Sequence, residues 1–388
     1  MPSPRHAPVL SARRTPTETL PDVLRELMHA AEIARQVPFR GISPASGIEP
    51  GLFELAPTGV PTAPLREAAT SFLESLNDVQ RRQAVFPVAT DVWRLWNNTH
   101  PFLTRHGLCV EGLSDLQRNK ALRLVSSALS ARAFGIARNV MRLNETLHEI
   151  TGSDEEYGEW IYWVSVMGYP SETEPWGFQF DGHHVNINCL VIGDQLVVTP
   201  TFLGSEPVIA PVGRYRGTSV LLKEEAIGLR FAQSLSRDQF ARARIGESLP
   251  GDVFTKCYHD NYDLEYDGVC FEELDNTQKA VLIELVSGYV GWTRLPHAAV
   301  RLGEVMRHID RTRFAWIGDR GDKSTFYYRA YNPVILIEFD HLPGVALDND
   351  QPSRDHIHTI VRTPNGNDYG MDLLRQHYER AHIGSHRH

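Results

Sequence analysis

Apolar residues recur at helical spacing in LPDVLRELMHAAEIARQV, and the same period predicts a second helix from about Thr62 to Val85. The longest helical stretch follows Ser114, a good N-cap, and runs through DLQRNKALRLVSSALSARAFGIARNVMRLNETLHEI. Leu122, Val125, Leu129 and Ile136 form its apolar stripe, and Gly135 is expected to mark a bend. At Trp160 the period changes. WIYWVSVMG is apolar on both alternating faces, as in a buried strand. FQFDGHHVNINCLVI, Gly193-Asp194 and QLVVTPTFLG then suggest two strands joined by a hairpin turn.

Helical patterns return in EEAIGLRFAQSL, SRDQFARARI, NTQKAVLIELVSGYVGW and PHAAVRLGEVMRHI. A second strand block follows, with FAWIG, STFYYRAY, PVILIEFDH and DHIHTIVRT, and Asn332-Pro333 makes a tight link within it. MDLLRQHYERAH is the last helix. Two strand blocks separated by helices, without βαβ alternation, predict an α+β fold around an antiparallel sheet, with an N-terminal helical region and a central helical block. Residues 1–60 read as tail and loop with one helix. Residues 61–388 read as one catalytic domain whose part 61–150 is helical. No internal repeat of fixed period is evident.

With 388 residues, 42% apolar and 22% charged, the chain has an ordinary globular composition and needs no disulfide stapling. A net charge of −9 without a basic block argues against nucleic acid or an anionic membrane as partner. No run reaches the ~18 apolar residues of a membrane span. Arg13-Arg14 precedes no apolar segment, so no signal peptide is expected and the expected compartment is the cytoplasm. Cys109, Cys189, Cys257 and Cys270 lack C-x-x-C spacing and read as free thiols.

The candidate chemistry lies in the histidines. Read as one strand, FQFDGHHVNIN puts His184, Asn186 and Asn188 on one face, and Asp181 and His183 on the other. In DHIHTIV, His356 and His358 point the same way from another strand. Their Cα atoms then lie about 6–7 Å apart, so both rings can converge on one ion at the ~2.0–2.1 Å bond length of zinc. A further ligand must come from elsewhere: His184 is preferred, or His183 if Gly182 permits a bulge, and Glu338 could add a carboxylate. The competing reading is a set of solvated or hydrogen-bonded core residues.

The pieces Trp176–His184, Thr199–Gly204, Phe326–His341 and His356–Tyr378 resemble an uncharacterised family, catalogued as domain of unknown function three thousand five hundred. Its members carry W-G-x-x-F-x-G-H-H, then T-P-x-F-x-G, then a C-terminal run like FYYRAYNPVILIEFDH and HIHTIVRT. The resemblance covers roughly residues 90 to 380. One departure is Asn332-Pro333, where the family usually has Gly-Pro, which leaves that turn's shape open. The resemblance implies a shared site at the histidines and no settled reaction.

Several neutral imidazoles suit copper, iron or zinc better than magnesium or calcium. One expectation is a copper or ferrous oxidoreductase acting on a small organic substrate, oriented by Asn186 and Asn188, with Trp176 and Tyr328 as core residues or pocket wall. Another is a zinc hydrolase or lyase with Asp181 or Glu338 as base and Arg329 facing an oxyanion. A third is a protein that binds a metal or small ligand without turnover. The supply of histidine over acid favours the first. DLEYDGVCFEE imitates a calcium loop but has Leu274 at the twelfth place, so an acidic surface loop is expected. His382, His386 and His388 are expected to be solvated tail residues. HExxH, Walker A, GxGxxG and GxSxG are absent.

Overall fold

The computed structural model describes residues 3–4, 22–99, 106–154 and 156–385. Much of the expected tail, together with His386 and His388, lies outside them. After α1 (Asp22–Gln36), the chain forms α2 (Ala63–Glu74), α3 (Asp78–Ala84), β1 (Val85–Phe86), β2 (Leu108–Cys109), α4 (Asp115–Ala128) and α5 (Ala131–Thr151). β3 (Tyr162–Met167), β4 (Trp176–Gly182), β5 (Val185–Ile192), β6 (Gln195–Val197) and β7 (Thr201–Ser205) close this stretch. The second stretch comprises α6 (Leu222–Ser234), α7 (Arg237–Ala243), β8 (Arg244–Gly246), β9 (Val269–Cys270), α8 (Asn276–Val290) and α9 (His297–Met306). It ends with β10 (Arg313–Gly318), β11 (Phe326–Asn332), β12 (Ile335–His341) and β13 (Ile357–Arg362), before α10 (Met371–Ser385). The fold is α+β, and the 13 strands among the described residues form one mostly antiparallel sheet.

The sheet carries an internal pseudo-symmetry that no fixed sequence period announces. The strand order β1-β3-β4-β5-β7-β13-β12-β11-β10-β8 reads the same from both edges, with β2 on β3 answered by β9 on β10. The edge strands match too, since β1 runs parallel to β3 and β8 parallel to β10. Helix starts repeat in chemical detail. Asn77/Gln80 and Ser236/Gln239 form capping boxes at α3 and α7, as Ser114/Gln117 and Asp275/Gln278 do at α4 and α8. Gln117 donates to Gln80 and to the Ser75 carbonyl, while Gln278 donates to Gln239 and to the Ser234 carbonyl. Insertions shift the spacing between equivalents along the chain, so no fixed period survives.

Two predicted helices are divided. The stretch from Thr62 breaks where Asn77 starts α3, and the long stretch breaks at Leu129-Ser130 instead of bending at Gly135. The reason is a second N-cap: the Ser130 hydroxyl accepts the Ala133 amide, and Gly135 sits inside α5. All four cysteines are free.

The two faces of the sheet differ in chemistry. On one, Trp316, Tyr328, Phe339, Thr359, Leu203 and Val185 follow one another across neighbouring strands, and Tyr328 meets Glu224 of α6 and Tyr289 of α8. On the other, the corresponding row is Arg329, Glu338, Ile360, Phe202, Asn186, Asp181 and Trp163. This polar row is covered by the connections β1–β2 and β8–β9: Trp93 takes the Gln179 amide, and Phe254 and Thr255 donate to Glu338.

Candidate metal centre

FQFDGHHVNIN is not one strand. His183 and His184 are the two-residue turn between β4 and β5, closed by the Gly182–Val185 pair. The chain reverses there, so Asp181 and Asn186 face each other on one side of the sheet and not on opposite sides. His184 takes a left-handed φ of 64°, an uncommon conformation for a side-chain-bearing residue that tends to mark functional positions.

His356 lies just before β13 and His358 within it, in the same sheet as the turn. The Nε2 atoms of His184, His356 and His358 form a triangle with sides of 3.1, 3.1 and 3.3 Å. All three residues are buried. These three nitrogens could together hold one metal ion at the usual ~2.0–2.1 Å bond length. The tautomers suit this use. His356 Nδ1 lies 2.7 Å from the Pro343 carbonyl and His358 Nδ1 lies 2.7 Å from Asp252 Oδ1, so each Nδ1 donates and each neutral Nε2 presents a lone pair. In the neutral rings the Nε2 lone pairs of His356 and His358, 3.1 Å apart, repel one another unless a proton or a metal cation lies between them.

The surroundings orient two of the rings and disfavour protonation of His356. Burial, followed by the charge of His358, pushes His356 down to about 3. Burial alone would raise Asp252, but the charge and hydrogen bond of His358 keep it below the usual carboxylate range. Gly204 is paired with His358 across the sheet. A Cβ on it would meet the Cδ2 atoms of His358 and His184 at 2.9 and 3.0 Å, so the missing side chain is what lets the two rings meet.

His183 is not one of the three converging residues. Its Nδ1 donates to Asn144 Oδ1 at 2.8 Å, an orientation fixed because the Asn144 amide donates to the Gly158 carbonyl. The His183 ring stacks on His184 at 3.9 Å, and its carbonyl accepts the Tyr162 hydroxyl. Glu338 accepts the Phe254 and Thr255 amides and the Tyr327 hydroxyl. Arg329 pairs with Asp267 and lies over Tyr331. Asp181 and Asn186 stand in the polar row, and Asn188 joins Gln179 to the Pro200 carbonyl. Trp176 occupies the far end of β4, and Tyr328 packs on the helical face, so neither adjoins the triad.

This arrangement meets a specific family background. A family model described as a protein of unknown function (DUF3500) matches residues 58–371. The chain belongs to the DUF3500 family. No curated protein and no solved structure matches it. Within the DUF3500 match lie all three triad residues, Gly204 and Asp252. Sequence reasoning missed Asp252, whose Gly-Asp-Val-Phe setting echoes Thr-Asp-Val-Trp at 90–93. That echo becomes a signal only once the duplication is seen. Asn332-Pro333, the departure from the family pattern, closes its turn through the Asn332 side chain, which accepts the Val334 and Ile335 amides.

Proposed function

We propose that this protein is a metal-dependent oxidoreductase in which His184, His356 and His358 hold one copper or ferrous ion that acts on a small organic substrate. The observation that carries the reading is the convergence of three buried Nε2 atoms within 3.3 Å of one another, two of them with Nδ1 engaged as donors. Three imidazoles with no carboxylate in the cluster suit copper, iron or zinc. Zinc hydrolysis or lyase chemistry is the second reading, and two contacts weigh against it. Glu338, one of its two expected bases beside Asp181, anchors the Phe254–Thr255 backbone, and Arg329, its expected oxyanion donor, is engaged by Asp267. An ion in this triad would supply Lewis acidity or electron transfer. The chain itself orients the imidazoles through Pro343 and Asp252 and excludes bulk water.

Metal analysis of the purified protein tests this directly. Stoichiometric copper or iron is expected, lost in His356→Ala and His358→Ala while far-UV circular dichroism stays native. Stoichiometric zinc would favour the hydrolytic reading, and full occupancy in either variant would overturn the ligand assignment.

A further inference from the structure

Buried polar side chains almost always find hydrogen-bond partners, so those that lack them call for an explanation. Three such residues adjoin triad residues in the chain or across the sheet. Asn98, whose carbonyl accepts the His184 amide at 3.2 Å, has both side-chain polar atoms buried and unpartnered among the described residues. Asn186, two positions after His184, donates its amide to the Asn97 carbonyl, while its Oδ1 has no partner among the described residues. Asp340 is directly opposite His358 on β12 and shares its face of the sheet, flanking it as Gly204 does on the other side. In its fully buried setting the Asp340 carboxyl has no side-chain hydrogen-bond partner among the described residues, only the neighbouring His341 amide.

These atoms have a definite polarity. Asn98 Oδ1 and Asn186 Oδ1 are acceptors, Asn98 Nδ2 is a donor, and the Asp340 carboxyl keeps an acceptor oxygen whether ionised or neutral. A carboxylate or phosphate would confront oxygen with oxygen. A hydrocarbon or unsubstituted aromatic would leave every one of them unmatched. A molecule carrying several O–H or N–H donors would match them.

Building on the metal reading above, we propose that Asn98, Asn186 and Asp340 form the substrate-recognition shell of the triad and select a small, uncharged, donor-rich molecule such as a polyol or hydroxyamide. The test uses the full chain loaded with cobalt(II), whose visible absorption reports both occupancy of the triad and ligand entry. The probes are glycolamide and propionamide, which match in shape and amide group and differ by hydroxyl against methyl. Glycolamide is expected to bind at least tenfold more tightly. Asn98→Leu, Asn186→Leu and Asp340→Leu should each remove most of that preference while retaining cobalt and melting no lower than wild type, since each removes an unmatched buried group. Equal binding of the two probes by wild type, or a preference retained in all three variants, would overturn the proposal and leave the metal reading intact. Failure of wild type to bind cobalt would overturn both. The wild-type comparison needs no variant to fold.

Discussion

Asp252 carries the orientation of His358 through one 2.7 Å hydrogen bond, in the way that outer carboxylates commonly fix metal-bound imidazoles. Asp252→Asn retains an acceptor oxygen but removes the charge. It is expected to weaken the ion's affinity about 10–100-fold, as measured by competition with a chromophoric chelator, with little change in thermal midpoint. At this scale the sequence exposed His356 and His358, because the strand period alone makes H-x-H rings project together. It also singled out His184 over His183, for a reason that does not apply. The choice is not made by strand alternation but by a tight turn, in which His184 swings toward β13 and His183 back toward Asn144 of α5. Asp252 was invisible, since nothing about an isolated acid in a loop predicts which imidazole it will meet.

Among the elements, α6 is tied to the end of β12 by Glu225, which accepts from His341 Nε2 at 2.9 Å and pairs with Arg354. Burial would raise the Glu225 carboxyl, but its hydrogen bonds with His341 and Arg354 hold it below the usual range. A depressed native pKa means that the unfolded chain takes up this proton first on acidification. The stabilisation is therefore complete above the unfolded value of about 4.5 and is lost as pH falls through the native one. Urea midpoints measured at pH 6 and pH 3.5 should show a smaller acid-induced drop in Glu225→Gln than in wild type, and a less stable variant at pH 6. The elements themselves were legible where period and caps agree, as at Ser114. They were misjudged where a cap interrupts an unbroken apolar period: Ser130 ends one helix and starts another although the stripe of Leu122, Val125, Leu129 and Ile136 runs on.

Across the whole molecule, the pseudo-symmetric sheet joins its two stretches along β7 and β13, and the candidate centre lies beside that seam. His184 and Gly204 come from the first stretch; Asp252, His356 and His358 come from the second. Cutting the exposed link between Arg216 and Gly217 should leave two co-expressed pieces that co-purify through the β7–β13 pairing. Only the reassembled pair should hold the ion at native affinity, as equilibrium dialysis would show. Full affinity in either piece alone would mean that the site is not shared.

The sequence by itself determined the α+β class, the two strand blocks, most helix positions and the H-x-H pair, because these follow from periodicity and capping within a few residues of chain. The pseudo-symmetry lay beyond it: the two stretches share capping pairs and strand pairings but no fixed spacing along the chain. Tertiary structure alone decided which histidines meet, that Asp252 supports one of them, and that Glu338 and Arg329 are engaged elsewhere. These are contacts between side chains far apart in the chain, set by sheet register and by a turn geometry that hydropathy does not encode.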